Sequence, residues 1–96
     1  MLSINLKGKT ALITGVSSGI GFGIAKILAR AGCNISGCAT SKPDSSKALA
    51  FREMLDEEGV SSIYSCCDVT DLLQLKGLVK DTYTEFGGID ILVSNA

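Results

Sequence analysis

Histidine does not occur anywhere in the 96 residues, so the side chain most used as a catalytic base and as a metal ligand is unavailable. Proline occurs once, and with 46% hydrophobic and 20% charged residues the composition is neither that of a linker nor that of a disordered tail. Neither sign of charge dominates: nine basic against ten acidic residues leave a net charge of −1. No nucleic acid and no anionic membrane is therefore expected as a partner. No run approaches the roughly 20 apolar residues of a membrane span. The opening Met-Leu-Ser-Ile-Asn-Leu-Lys also lacks the basic stretch and long apolar run of a secretory signal. The four cysteines, Cys33, Cys38, Cys66 and Cys67, form no Cys-x-x-Cys pair. With no histidine beside them, they are expected to be buried free thiols rather than metal ligands, which places the chain in a reducing, cytoplasmic setting.

What is present is a regular alternation of strand and helix signals. Residues 9–14 (KTALIT) form a short β-branched apolar run that ends at Gly15. Ile20, Ile24, Ile27, Leu28 and Ala31 then share one helical face, and Gly32 closes that helix. Residues 33–39 (CNISGCA) read as a weaker strand because Gly37 interrupts them. Asp44 or Ser45 is the expected N-cap of a second helix, whose core face is Ala48, Phe51 and Leu55 and whose solvated face holds Arg52, Glu53, Asp56 and Glu57. Gly59 ends it. Residues 60–67 read as a third strand, and Thr70 is expected to cap a third helix that turns Leu75, Val79, Thr82 and Phe86 inward before Gly87 and Gly88. Residues 89–94 (IDILVS) supply a last strand. The order β-α-β-α-β-α-β implies right-handed crossovers and a parallel sheet covered by helices on both faces. One domain over residues 1–96 is the expected organisation. By size scaling it buries roughly 64% of its surface on folding, which is enough for a small core of marginal stability.

The chemically informative segment is Thr14-Gly15-Val16-Ser17-Ser18-Gly19-Ile20-Gly21, between a predicted strand and a predicted helix. A dinucleotide-binding turn needs that context. Gly15 lets the chain turn off the strand, Gly19 admits a pyrophosphate close to the backbone, and Gly21 lets the helix pack tightly on the sheet. The N–H groups at the start of the helix, Ile20 among them, are expected to face the phosphates, with Ser17 and Ser18 expected to add hydroxyls.

These residues resemble the short-chain dehydrogenase/reductase family, whose glycine pattern is T-G-x-x-x-G-x-G. Two further motifs follow in order. Asp68-Val69 is similar to the pair whose aspartate contacts the adenine ring, and Ser94-Asn95-Ala96 resembles the start of the family's N-N-A-G signature, with Ser94 a departure from it. The resemblance implies the N-terminal half of a doubly wound (Rossmann) α/β fold, binding a dinucleotide through Gly15, Ser17, Ser18, Gly19, Ile20, Gly21, Asp68, Val69 and Asn95. Within the family, Ser17-Ser18-Gly19-Ile20-Gly21-Phe22-Gly23-Ile24-Ala25 is most similar to 3-hydroxybutyrate dehydrogenases, while 3-oxoacyl-carrier-protein reductases share Leu6-Lys7-Gly8-Lys9 and residues 89–93. The residues themselves leave Asp68 a second reading, as a turn or capping residue ahead of a helix.

The family's chemistry is hydride transfer between nicotinamide and an alcohol or ketone, driven by a serine and a Tyr-x-x-x-Lys pair. Neither tyrosine fits: Tyr64 is followed four residues on by Asp68 and Tyr83 by Gly87, so both are read as packing residues and no catalytic residue is assigned. The favoured expectation is a truncated or decayed enzyme that is inactive alone. The alternatives are a split enzyme completed by a second chain carrying the catalytic half, and a non-catalytic nucleotide-binding module. Truncation after the fourth strand is expected to leave Ile91, Leu92 and Val93 on an unpaired edge. NAD is the expected cofactor, with NADP not excluded. Ala39 and Thr40 stand where an NAD enzyme carries an acid for the ribose, no arginine replaces it, and Lys42 is read as a solvated loop residue. Cys38, Cys66 and Cys67 are expected to approach one another without a redox role, because nothing basic flanks them.

Overall fold

The computed structural model describes residues 4–17 and 19–95; Ser18 and Ala96, both part of the motifs above, lie outside the described residues. Among the described residues, four strands and three helices follow in strict alternation: β1 (Thr10–Thr14), α1 (Gly19–Arg30), β2 (Asn34–Ala39), α2 (Ser46–Glu58), β3 (Ser62–Cys66), α3 (Leu72–Phe86) and β4 (Ile91–Val93). All pairings are parallel and the sheet order is β3-β2-β1-β4. The chain therefore steps outward from β1 to β3, then returns to β1's other side for β4. That reversal makes β1 and β4 a topological switch point, where doubly wound sheets open a crevice at their carboxyl ends.

Strand alternation sorts the core into two layers. Ala11, Ile13 and Ile35 face α1 and α2, packing with Ala25, Ala29, Phe51, Met54 and Leu55. Leu12 and Cys38 face the opposite way and pack with Cys67 and Leu78 under α3. Gly37, which weakens the strand signal of β2, has a packing reason: a Cβ there would lie 2.6 Å from Cζ of Phe51, so the missing side chain is the space the ring occupies. On the other face, the buried hydroxyls of Ser36 and Thr82 lie 2.7 Å apart. Thr82 donates its one proton to the Leu78 carbonyl at 2.7 Å, so Ser36 is the donor between the two. At the base of the sheet, Asp90 ties β4 to β1: Oδ2 accepts from the Thr10 N–H at 2.8 Å, and the Asp90 N–H reaches the Thr10 carbonyl at 2.9 Å.

Several expectations about faces and caps are corrected. In α1 the buried residues are Gly21, Ala25 and Ala29, whereas Ile20 and Ile27 are exposed, with Ile24 and Leu28 only partly covered. A helix lying this close to a sheet places its smallest residues along the line of contact, and hydrophobicity alone does not see that line. In α3 the inward residues are Leu78 and Thr82, flanked by partly buried Leu75 and Val79. Its cap is Asp71 rather than Thr70: the Asp71 carboxylate accepts from the N–H groups of Leu73 and Gln74, while Thr70 donates to Asp68. Ser45 caps α2, as one of the two candidates. β3 and β4 are shorter than their apolar runs, Ile89 packing under α3 instead of extending β4. Cys66 is exposed while the other three thiols are buried. Tyr64 packs its ring against Phe51, but Tyr83 is exposed and packs into neither core layer. β4 pairs on one side only, and Leu92 is 66% exposed although its register partner Leu12 is buried.

Candidate functional site

The segment after β1 leaves the sheet at Gly15, whose φ of +70° is the left-handed value that turns the chain toward α1. The Val16 N–H returns to the Cys38 carbonyl of β2 at 3.1 Å, and the Val16 side chain is fully buried, so the loop is anchored at its middle. Gly21, in the first turn of α1, sits against this loop. A Cβ on it would overlap the Gly15 carbonyl oxygen and come within 2.7 Å of Nδ2 of Asn95. From the end of β4, Asn95 completes the brace: its N–H donates to the Thr14 hydroxyl at 2.9 Å, and its side-chain amide donates to the Gly15 carbonyl at 3.3 Å. Three elements of the switch point thus converge on one peptide. The Gly15 carbonyl is held inward, and the N-terminus of α1, with its unspent N–H groups and positive dipole end, borders the crevice. At Gly19 (φ +62°) a Cβ would meet nothing within 4 Å, so the start of α1 is open on that side.

Beside this loop lies a cleft of about 230 Å³ lined by Gly15, Ser17, Cys38, Ala39, Thr40, Cys67 and Val69. It is floored by thiols. Burial, followed by the neighbouring Cys67 thiol, pushes Cys38 from 9.0 up to about 11, and burial also raises Cys67. Both are neutral near pH 7, so the floor is apolar and uncharged. A wider depression of about 720 Å³, which includes Lys7, Arg30, Asn34 and Glu58, lies at the opposite, amino-terminal edge of the sheet. Parallel sheets of this kind do not bind their ligands there.

Of the residues singled out from sequence, Gly15, Ser17 and Val69 line the cleft together. Gly19 and Ile20 lie at the start of α1, where Ile20 is 74% exposed, and Gly21 and Asn95 act from behind the loop. Ser18 lies outside the described residues. Asp68 is exposed and does not line the cleft. Its Oδ1 accepts from both the N–H (2.9 Å) and the hydroxyl (2.6 Å) of Thr70, bonds that hold its carboxyl below the usual range. The turn reading of Asp68 is therefore realised, and Oδ2 makes no bond among the described residues. Sequence reasoning assigned no site role to Thr14, Cys38 or Cys67. Thr14 carried a signal as the first residue of the glycine pattern, whereas the thiols enter the cleft only through the pairing of β2 with β3.

A family model described as short chain dehydrogenase matches residues 9–96. The 3-oxoacyl-acyl-carrier-protein reductase of Vibrio cholerae is 42% identical over 93 residues, covering 97% of this chain and 36% of the relative. The D-beta-hydroxybutyrate dehydrogenase of Cupriavidus necator is 40% identical over 91 residues, covering 95% of this chain and 34% of the relative. Among solved structures, carveol dehydrogenase from Mycobacterium avium in complex with NAD superposes with a TM-score of 0.88 at 25% identity, covering 96% of this chain and 36% of that one. The chain thus spans about a third of the length of these two relatives.

Proposed function

The chain belongs to the short-chain dehydrogenase/reductase family, and from that premise we propose that it forms the cofactor-binding part of an oxidoreductase passing hydride between NAD and a hydroxy acid or its keto form. The observation that carries this reading is the brace at the switch point, Gly21 and Asn95 meeting on the Gly15 carbonyl. It aims the first turn of α1 at a backbone cradle open at Gly19, and a helix N-terminus of this kind suits a phosphate or another anion. The bound dinucleotide would supply the hydride acceptor or donor. In this reading Gly15, Ser17, Ser18, Gly19 and Ile20 hold the phosphates, and Gly21 supports them from behind the loop. The apolar floor of Cys38, Ala39, Cys67 and Val69 takes a flat base, Asp68 stands between Cys67 and Val69 in the chain with Oδ2 unbonded among the described residues, and Asn95 keeps the loop in place.

The substrate proposed is 3-hydroxybutyrate, with the 3-oxoacyl-acyl-carrier-protein class as the alternative; both are 3-oxygenated acyl compounds, and both activities occur among the relatives. The 96 residues contain no Tyr-x-x-x-Lys, so turnover requires acid/base groups from elsewhere, and the chain by itself is proposed to bind without turning over. Among the described residues no helix is long and apolar enough to cross a membrane, and the free thiols fit a reducing, cytoplasmic compartment.

The test is a titration of the purified chain with NADH, following nicotinamide fluorescence and thermal unfolding together. Saturable binding that stabilises the chain by about 2.7 kcal/mol at a hundredfold excess over Kd is expected. A folded chain that shows neither response would refute the reading.

A further inference from the structure

We propose that Cys38 and Cys67 form a two-thiolate site for a soft monovalent cation of the Cu(I) class in the floor of the cleft beside Gly15, and that filling it closes the cleft to the dinucleotide. The site stands on the thiols alone, whereas the closing rests on the cleft being where the dinucleotide binds.

Strand pairing assembles the pair. Cys38 is in register with Ser65 and Ala39 with Cys66, and the Cys67 N–H donates to the Ala39 carbonyl at 2.9 Å. Cys67 therefore lies two residues beyond the register partner of Cys38, on the same face of the sheet. Both thiols are free and buried, packed in one cluster with Leu12 and Leu78. They are close enough to share a hydrogen bond. Both residues line the cleft, which gives an ion its way in. The expectation of thiols that bind no metal rested on the missing histidine and Cys-x-x-Cys, and neither bears on a pair made across two strands.

The offset decides what can join the sulfurs. Strands about 4.8 Å apart and an offset of two residues at about 3.3 Å each put the two Cα atoms roughly 8 Å apart. A disulfide tolerates only about 4.4–6.8 Å. Two metal–sulfur bonds in line span roughly twice a sulfur–sulfur bond of about 2.05 Å, so a bridging ion reaches where a direct bond does not. Zinc fails for want of ligands: it takes four, and no three His, Cys, Asp or Glu side chains come together to hold a metal among the described residues. Thiolates select soft ions, and two of them suffice for a linear Cu(I) centre.

Each thiol gives up its proton as its sulfur bonds the ion, so one Cu(I) and two thiols yield a bis-thiolate anion and two free protons. The ion offsets the desolvation and mutual repulsion that keep both thiols protonated without it. The Gly15 backbone N–H hydrogen-bonds Cys38 and favours its thiolate, the kind of outer donor that supports a metal ligand. Gly15 is held from its carbonyl side by Asn95, so this donor is fixed before the ion arrives. The filled site carries a residual negative charge in a floor that the reading above gives to the base of an anionic ligand.

The experiment supplies Cu(I) anaerobically as its bicinchoninate complex, whose colour falls as the chain removes copper, to the wild-type chain, Cys38→Ala, Cys67→Ala and Cys66→Ala. The wild type and Cys66→Ala are expected to take a single equivalent with equal affinity, since the exposed Cys66 thiol donates to the Thr40 carbonyl and stands outside the pair. Losing either member of the pair leaves one ligand and should weaken binding at least about a hundredfold. Equal uptake by all four chains, or loss in Cys66→Ala alone, would overturn the site. If the Cys38 and Cys67 variants do not fold, as judged by circular dichroism, X-ray absorption of the copper-loaded wild type decides: two sulfur neighbours are expected, and nitrogen or oxygen neighbours would overturn the pair. The copper-loaded wild type, freed of excess copper, is then titrated with NADH. Binding at least about tenfold weaker than in the copper-free chain is expected from a like charge set beside an anionic ligand. Unchanged affinity would overturn the closing and leave the site. A copper-free chain that is folded and binds no NADH would overturn the cofactor reading and the closing with it, while copper uptake still decides the site.

Discussion

Two glycines in the first turn and a half of α1 should respond to alanine with opposite signs. At Gly21 the new Cβ would overlap the Gly15 carbonyl oxygen, lie 2.9 Å from the Gly15 carbonyl carbon and 2.7 Å from Nδ2 of Asn95. The first two contacts are with backbone that β1 holds in register, so the helix or the loop has to give way. Overpacking of this kind costs about 1–3 kcal/mol. The displaced Asn95–Gly15 hydrogen bond adds about 1 kcal/mol, while the helix preference for alanine over glycine returns about the same amount. Gly21→Ala should therefore destabilise by about 1–3 kcal/mol. At Gly23, one position before the next turn, a Cβ meets nothing within 4 Å. Only the propensity gain remains, so Gly23→Ala should stabilise by about 0.5–1 kcal/mol. Because a chain of this size shifts about 4–8 °C per kcal/mol, the two melting temperatures should bracket the wild type and differ by at least about 6 °C. Urea midpoints measured on both variants provide the check, with NADH titration alongside, since only Gly21→Ala moves the cradle. Equal midpoints, or a Gly23→Ala variant as damaged as Gly21→Ala, would refute the claim that close approach to Gly15 sets this helix.

Other outcomes follow from the same geometry. Thr82→Val strands the buried Ser36 hydroxyl and should cost about 1–3 kcal/mol, with Ser36→Ala added to it recovering part of the loss; additive losses in a double-mutant cycle would contradict the pairing. Asp71→Ala removes the cap of α3 and should cost about 1 kcal/mol in chemical denaturation, whereas Thr70→Ala should cost less, the reverse of what the bare sequence suggests. Cys38 holds its proton more tightly folded than unfolded, so its contribution is complete below pH 9.0 and disappears as pH rises through about 11. Urea midpoints should accordingly decline over that window, and less steeply in Cys38→Ala; identical slopes would show that the thiol is not coupled to folding.

Much of the architecture is legible in the chain because it depends on patterns that survive without coordinates. The glycine pattern between an apolar strand and an amphipathic helix, and the alternation that follows it, lead to the parallel sheet and to a candidate site at the end of β1. What stays hidden is which face of each element makes contact. The isoleucines of α1 dominate its hydrophobicity, yet Gly21, Ala25 and Ala29 form the contact line, because closeness to a sheet selects for small volume. The cap of α3 was equally ambiguous: Asp68, Thr70 and Asp71 are all competent capping residues within four positions, and only the bonds they make separate them.

The chain's own order of residues was sufficient to determine its class, the alternation of strands with helices and the glycine turn between β1 and α1, since local periodicity and glycine placement are short-range properties. The tertiary structure alone decided that Asn95 braces Gly15 from 80 residues away, that Cys38 and Cys67 floor one cleft, and that Tyr64, Cys66 and Arg52 restrain the loop after β2. Those contacts arise from strand register and helix docking, and no spacing along the sequence encodes a distance across a sheet.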